Sequence, residues 1–261
     1  MSTVINTNYA AVLSQKNLET VQREMDKSIE RLSSGLRINS ARDDAAGMAI
    51  AGRMESQIRG LQASVRNAKD AQSLVATSEG AMNEITEILQ RMRELAVQAS
   101  SGIASGSDKD YLDLEMTQLV SEIDAIATNT KFNGQQVLKG AVFSFYNDIN
   151  ITGTTMDTPA SDMATSTLVV QATDVNIDNQ ASAILIASAI NDIDAAINTV
   201  NSKRAALGAI SNRLDHTVDN LTNIIMNTIA SKSRIEDADF AAETTRMTRN
   251  SVLQQAATSM L

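Results

Sequence analysis

The side chains of this chain that could do chemistry are few, and their spacing does not suit catalysis. His216 is the one histidine, set in NRLDHTVDN among polar positions, with no second imidazole to share a metal or relay a proton. Cysteine is absent, which excludes disulfides, thiolate metal sites and thiol nucleophiles. Glu84 and Glu87 stand three residues apart, which suits one solvated helix face better than an acid–base pair across a cleft. The sequence contains no HExxH, Walker-type phosphate loop or GxSxG. These residues predict no enzyme, no cofactor and no metal.

The remaining charges suggest partners instead. Arg31, Arg37 and Arg42 lie near the start of the chain, and Glu236, Asp237 and Asp239 lie near its end. If the two ends run side by side, these groups are expected within pairing distance, in one subunit or between subunits. An exposed pair of this kind contributes under ~1 kcal/mol. Net charge is −9 with a pI near 4.7, which argues against a nucleic-acid partner, because phosphate contacts need clustered Lys and Arg.

The elements that must position these residues read as long helices. Hydrophobic residues make up 43% of the 261 residues but aromatics only 3%, and one proline is present, so narrow helix–helix seams are expected. Leu18, Val21, Met25, Ile29, Leu32 and Leu36 step 3-4-4-3-4, the period of an amphipathic helix from about Asn6 to Ser34. Gly35 suits the left-handed closure of that helix. Ser40, with Asp43 and Asp44 following, suits the capping of a second helix from about Asp44 to Ser100.

Along that helix Leu61, Val65, Ala68, Gln72, Val75, Glu79 and Met82 alternate steps of 4 and 3. After one slip, read as a stutter, the pattern resumes as Ile85, Leu89, Met92, Ala96 and Ala99. A third helix is predicted over Asp108–Thr128. Asn133-Gly134 signals a turn, and runs such as VFSFY and STLVVQA suggest short strands within 132–178. Helical periodicity returns from about Asn179, through Ile186, Ile190, Ile193, Ile197 and Val200 to the C-terminal end. The predicted fold is mainly α: a long antiparallel helical rod made by the two ends of the chain, with a small β region at its midpoint. No apolar run approaches ~18 residues, so no membrane insertion is expected. The start, MSTVINTNYAAVLSQ, lacks the pattern of a cleaved secretory signal.

Several segments resemble bacterial flagellins: VINTNYAA near the start, ERLSSGLRINSARDDAAGMAIA at Glu30–Ala51, QRMRELAVQ at Gln90–Gln98, SRIEDADF at Ser233–Phe240 and VLQQAATSML at the end. The resemblance implies a self-assembling subunit of the flagellar filament, a secreted protein exported unfolded through the flagellar type III apparatus. It implies residues 1–40 with 232–261 as a terminal assembly region, and 41–231 as a helical domain with the β segment.

The resemblance further implies other copies of the chain as partners, an export chaperone held by the C-terminal helices, and filament-cap and hook-junction proteins. It also implies host Toll-like receptor 5. Gln90, Arg91, Glu94, Leu95, Gln98 and Glu115 match the family's protofilament and receptor contacts. Members usually continue past the position of Leu261 into a further apolar helix. A hook–filament junction protein would share the helical ends, and an intracellular coiled-coil scaffold would share the periodicity.

Overall fold

The computed structural model describes residues 9–146, 155–159 and 161–259. Helix α1 spans Tyr9–Ser34, α2 Ala45–Ala99 and α3 Gly106–Asn129. Short strands β1 (Lys131–Phe132), β2 (Gln135–Gln136), β3 (Ser144–Tyr146) and β4 (Thr155–Asp157) follow. The single turn α4 (Thr165–Leu168) then precedes α5 (Ala183–Glu236) and α6 (Phe240–Ser259). The predicted helix start at Asn6 and the closing Met260-Leu261 lie outside the described residues. Packing divides the chain into two compact units, Met1–Gly60 with Asn223–Leu261, and Leu61–Thr222. The sequence expectation placed that division at residues 40 and 232. Helices α2 and α5 contribute to both units.

In the unit of Leu61–Thr222, α2 and α5 run antiparallel. Gln72 meets Asp215 at 2.6 Å, Glu79 meets Arg204 at 4.0 Å, and Arg93 meets Asp194 at 2.6 Å. The buried positions of α2 in this unit include Leu61, Ser64, Ala68, Ala71, Val75, Ser78, Met82, Ile85, Leu89, Met92, Ala96 and Ala99. These alternate steps of 3 and 4 throughout, so the seam is one unbroken heptad run and the expected stutter is absent. Gln72 and Glu79 flank the seam and cross-link its edge; the small Ala71 and Ser78 occupy its centre.

Helix α5 repeats this arrangement, with Ala189 and Ala196 fully buried beside Ile186, Ile193 and Val200, while Ile190 and Ile197 are only partly buried. Small residues at the centre of a contact set how closely two helix axes approach. Among the described residues α5 alone is long and apolar enough to cross a membrane by length and composition, with an 18-residue window of mean hydropathy 1.3. Its buried apolar residues serve the seam, Ile184, Leu185, Met226 and Ile229 are exposed, and Asn191, Asp192 and Asp194 interleave with them.

Helix α3 adds Met116, Val120, Ile123 and Ala127 to the same core. Ser105 caps it, accepting the N–H of Asp108 while the Asp108 carboxylate accepts the N–H of Ser105. β1 and β2 form an antiparallel hairpin around Asn133 and Gly134, both at positive φ, as the Asn-Gly signal required. β3 pairs antiparallel with β4, Phe145 opposite Met156.

STLVVQA is no strand. Thr165–Leu168 coils into α4, Val169 takes a left-handed conformation, and Leu168 and Val170 bury in the core. The segment's own N–H groups close locally, Thr167 and Leu168 donating to the Ala164 carbonyl and Val170 to that of Thr165, and α3 holds the backbone on either side. The Asp124 carboxylate accepts the N–H and hydroxyl of Thr165, each at 2.9 Å, Asp113 accepts the N–H of Ile177, and Asp110 accepts the N–H of Asn179. The backbone donors that flank the segment are thereby satisfied along α3.

Candidate functional site

The unit of Met1–Gly60 and Asn223–Leu261 contains the joint between α1 and α2. Gly35 closes α1 at φ +74°, its N–H donating to Arg31 at 2.9 Å. The cap of α2 is Asp44: its carboxylate accepts the N–H of Gly47 at 2.9 Å. This corrects the assignment of capping to Ser40, which lies too far upstream to reach the first turn. Ser40 belongs to a turn closed by Asp43, whose carboxylate accepts the N–H groups of Asn39 and Ser40 and the Ser40 hydroxyl. Lys27 meets Asp43 at 2.7 Å. That contact above all, with the Ser40 and Asn39 hydrogen bonds, holds the Asp43 carboxyl at about 2, below its ordinary 3.8. Ile38 is buried against Gly47, where any Cβ would lie 2.7 Å from the Ile38 Cδ1.

Backbone, not charge, joins this segment to the α5–α6 turn. Leu36 bridges Asp237 in antiparallel fashion, the Arg37 N–H donates to the Glu236 carbonyl at 2.6 Å, and the Ala238 N–H donates to Gly35 at 2.9 Å. The Arg37 guanidinium donates to the carbonyl of Ile235. Asp239 caps α6 through the N–H groups of Ala241 and Ala242. Glu236 faces Lys232 at 3.6 Å, and Lys232 also meets Glu55 at 2.6 Å. The Glu55 carboxyl is lowered chiefly by Lys232, and the Lys232 ammonium is raised chiefly by Glu55.

Within the chain, therefore, Arg31, Arg37 and Arg42 form no ion pair with Glu236, Asp237 or Asp239 among the described residues. The expected intrachain pairing is corrected, because those acids cap a helix, pair with Lys232 or lie in the backbone bridge. Arg42 is exposed. Arg31 instead approaches Glu243, at 3.7 Å. Sequence reading passed over Glu243 because an acid on an amphipathic helix is normally solvated.

The α1–α6 pair is thinly covered: Leu18, Val21, Met25 and Leu32 of α1 and Met247 of α6 are only half-buried. Among the described residues the buried residue of α1 is Ser28, and those of α6 are Glu243 and Asn250. Val12, Ile29, Val252 and Leu253 remain exposed, at 64, 46, 59 and 46%. These exposed side chains leave apolar area on both helices that another body can cover.

On the other unit, Gln90, Arg91, Glu94 and Gln98 form one exposed face of α2. Arg91 donates to Glu115 of α3 at 2.9 Å and to Glu94 at 3.1 Å, contacts that raise its basicity, Glu115 first. Leu95 does not join that face. It is fully buried in the core, which corrects its assignment as a direct contact residue. His216 is exposed, and no group of His, Cys, Asp and Glu suited to a metal occurs among the described residues.

Comparison with known proteins follows the same elements. Residues 5–142 match the bacterial flagellin N-terminal helical region, and residues 190–261 match the bacterial flagellin C-terminal helical region. Flagellin FlaB2 of Treponema pallidum is 40% identical over 270 residues, covering 99% of this chain and 94% of that protein. The flagellin of Halalkalibacterium halodurans is 40% identical over 261 residues, with the same coverage of 99% and 94%. Flagellin A of Vibrio anguillarum is 33% identical over an alignment of 364 residues that takes in 100% of this chain and 96% of that one.

Among solved structures, Bacillus cereus flagellin superposes with a TM-score of 0.52 at 36% identity, covering 60% of this chain and 88% of that one. A chain from Vibrio parahaemolyticus described as a flagellar hook-associated protein gives 0.66 at 15% identity, covering 75% and 100%, and shares the fold alone. With flagellin helical regions at both ends and flagellins 40% identical across nearly its whole length, the chain belongs to the bacterial flagellin family.

Proposed function

We propose that this structural subunit of the flagellar filament assembles through the thinly covered α1–α6 pair, whose exposed apolar side chains are covered by other copies of the chain. The observation that supports this reading is the contrast within the pair, polar residues buried and Val12, Ile29, Val252 and Leu253 exposed. Burying a residue of this size contributes roughly 1.5–3 kcal/mol. Contacts repeated head to tail do not close, so they propagate a filament. On this reading the chain has no catalytic activity. It leaves the cell unfolded through the flagellar export apparatus, with a chaperone on its C-terminal helices, and meets hook-junction and cap proteins at the filament ends.

The free monomer is recognised by Toll-like receptor 5 through Arg91, Glu94 and Glu115, with Gln90 and Gln98 beside them. Leu95 acts by packing beneath that face. The experiment is the double variant Ile29→Ser with Leu253→Ser, examined by electron microscopy under polymerising salt. Loss of filaments with unchanged helix content is expected. Filaments at the wild-type critical concentration would refute the assembly reading.

A further inference from the structure

Ser28 and Arg31 of α1 and Arg246, Arg249 and Asn250 of α6 line one cleft of about 480 Å³ between the two helices. Two of these side chains are deeply set, Ser28 at 3% exposure and Asn250 at 6%. Neither makes a side-chain hydrogen bond to another described residue. Arg31 is in the same position: its side chain is 17% exposed, and its one ion-pair contact, to Glu243, is 3.7 Å long, beyond hydrogen-bond length. The Arg31 Nε is buried with no acceptor. Buried donors without acceptors are costly, and native proteins normally provide them with one. The Arg31 Nε is thus the buried donor of this cleft left without an acceptor among the described residues, whereas the Arg246 guanidinium reaches Glu243 at 3.2 Å.

The charge balance agrees. Lys27 is taken up by Asp43, and the arginines at 31, 246 and 249 outnumber Glu24 and Glu243. This cationic cleft sits in a chain of net charge −9. We propose that the cleft binds a small tetrahedral oxyanion, phosphate or sulfate, which clamps α1 to α6. A free ion fits better than a carboxylate from another chain because Ser28 and Asn250 are recessed between the two helices. A planar guanidinium suits an anion with several oxygens. This inference rests on the α1–α6 pairing alone and not on how filaments form.

The test is hydrogen exchange of α1 and α6 amides in the monomeric full chain, in sodium phosphate against sodium chloride at matched pH and ionic strength. A ligand bound only to the paired form slows opening by a factor of one plus its concentration over its Kd, so phosphate at ten times its Kd slows exchange about tenfold. Arg249→Gln, at an exposed position, and Asn250→Ala are expected to remove most of that slowing. No phosphate-specific slowing in the wild type overturns the proposal. Equal slowing in wild type and both variants means an adventitious ion only, and also overturns it. Protection that follows protein concentration instead of phosphate assigns the donors to a carboxylate of a second copy.

Discussion

Alanine at Gly35 and at Gly52 should move stability in opposite directions, although neither added Cβ meets another atom within 4 Å. Both glycines lie in the same packed unit, so the contrast isolates backbone conformation. Gly35 sits at φ +74°, where an L side chain crowds the following carbonyl at a cost of about 1–2 kcal/mol. Gly52 lies inside α2 with helical geometry, where alanine is better than glycine by about 0.5–1 kcal/mol. The two variants should therefore differ by roughly 1.5–3 kcal/mol, on the order of a 10- to 100-fold difference in the opening equilibrium. Hydrogen exchange of amides around the joint, followed at several urea concentrations, reads that equilibrium directly. Gly35→Asn should fall between, since asparagine tolerates the left-handed region. A neutral or stabilising Gly35→Ala would refute the left-handed closure.

Three further outcomes are expected. Asp43 titrates at about 2, below its ordinary 3.8, so the stability it contributes is complete above about pH 4 and is lost as pH falls toward 2. Lys27→Met should bring the Asp43 midpoint back toward 3.8 in an NMR titration of the carboxyl carbon, and an unmoved midpoint rejects Lys27 as the cause. Asp124→Ala leaves the N–H and hydroxyl of buried Thr165 without their acceptor and should cost about 1–3 kcal/mol. Urea unfolding of the Leu61–Thr222 unit measures that cost. Leu95→Ala should cost about 2–5 kcal/mol as a core truncation, whereas Arg91→Ala should change stability by under ~1 kcal/mol yet abolish a Toll-like receptor 5 reporter response. A fully active Arg91→Ala monomer would remove Arg91 from the recognition surface.

The long helices were legible because periodicity survives along tens of residues with one proline to interrupt it. The centre of the α2 seam was less so. Reading large apolar residues as central put Val65, Gln72 and Glu79 on the seam and forced a stutter. The packed helices instead place Ser64, Ala71 and Ser78 there. A small side chain is weakly hydrophobic in a sequence, yet it is what permits close approach.

The same limit hid the cap. Ser40, Asp43 and Asp44 all have capping chemistry, and spacing alone does not say which carboxylate faces the first free N–H. STLVVQA carries β-branched residues, but Thr167, Leu168 and Val170 donate to carbonyls within a local turn, and the flanking Thr165, Ile177 and Asn179 are held by Asp124, Asp113 and Asp110 on a helix distant in sequence. Local propensity loses to such tertiary partners. Arg31 and Glu243 could not be paired from sequence, because a buried acid between helices breaks the rule that hydrophobic residues face inward.

The β3–β4 hairpin is tied at its base: the Thr158 N–H donates to the Phe143 carbonyl, and the Phe143 N–H donates to the Thr158 hydroxyl, each at 2.9 Å. Both strand ends are thereby fixed however many residues join Tyr146 to Thr155. Once the ends are held, lengthening the connection carries only a closure entropy of about 0.6 kcal/mol per doubling. The helical seams are indifferent to that length, since none of their heptad positions lies beyond the tie. This makes the hairpin a splice point, where a chain of this architecture can gain a peptide or a whole domain without any helix having to find a new neighbour.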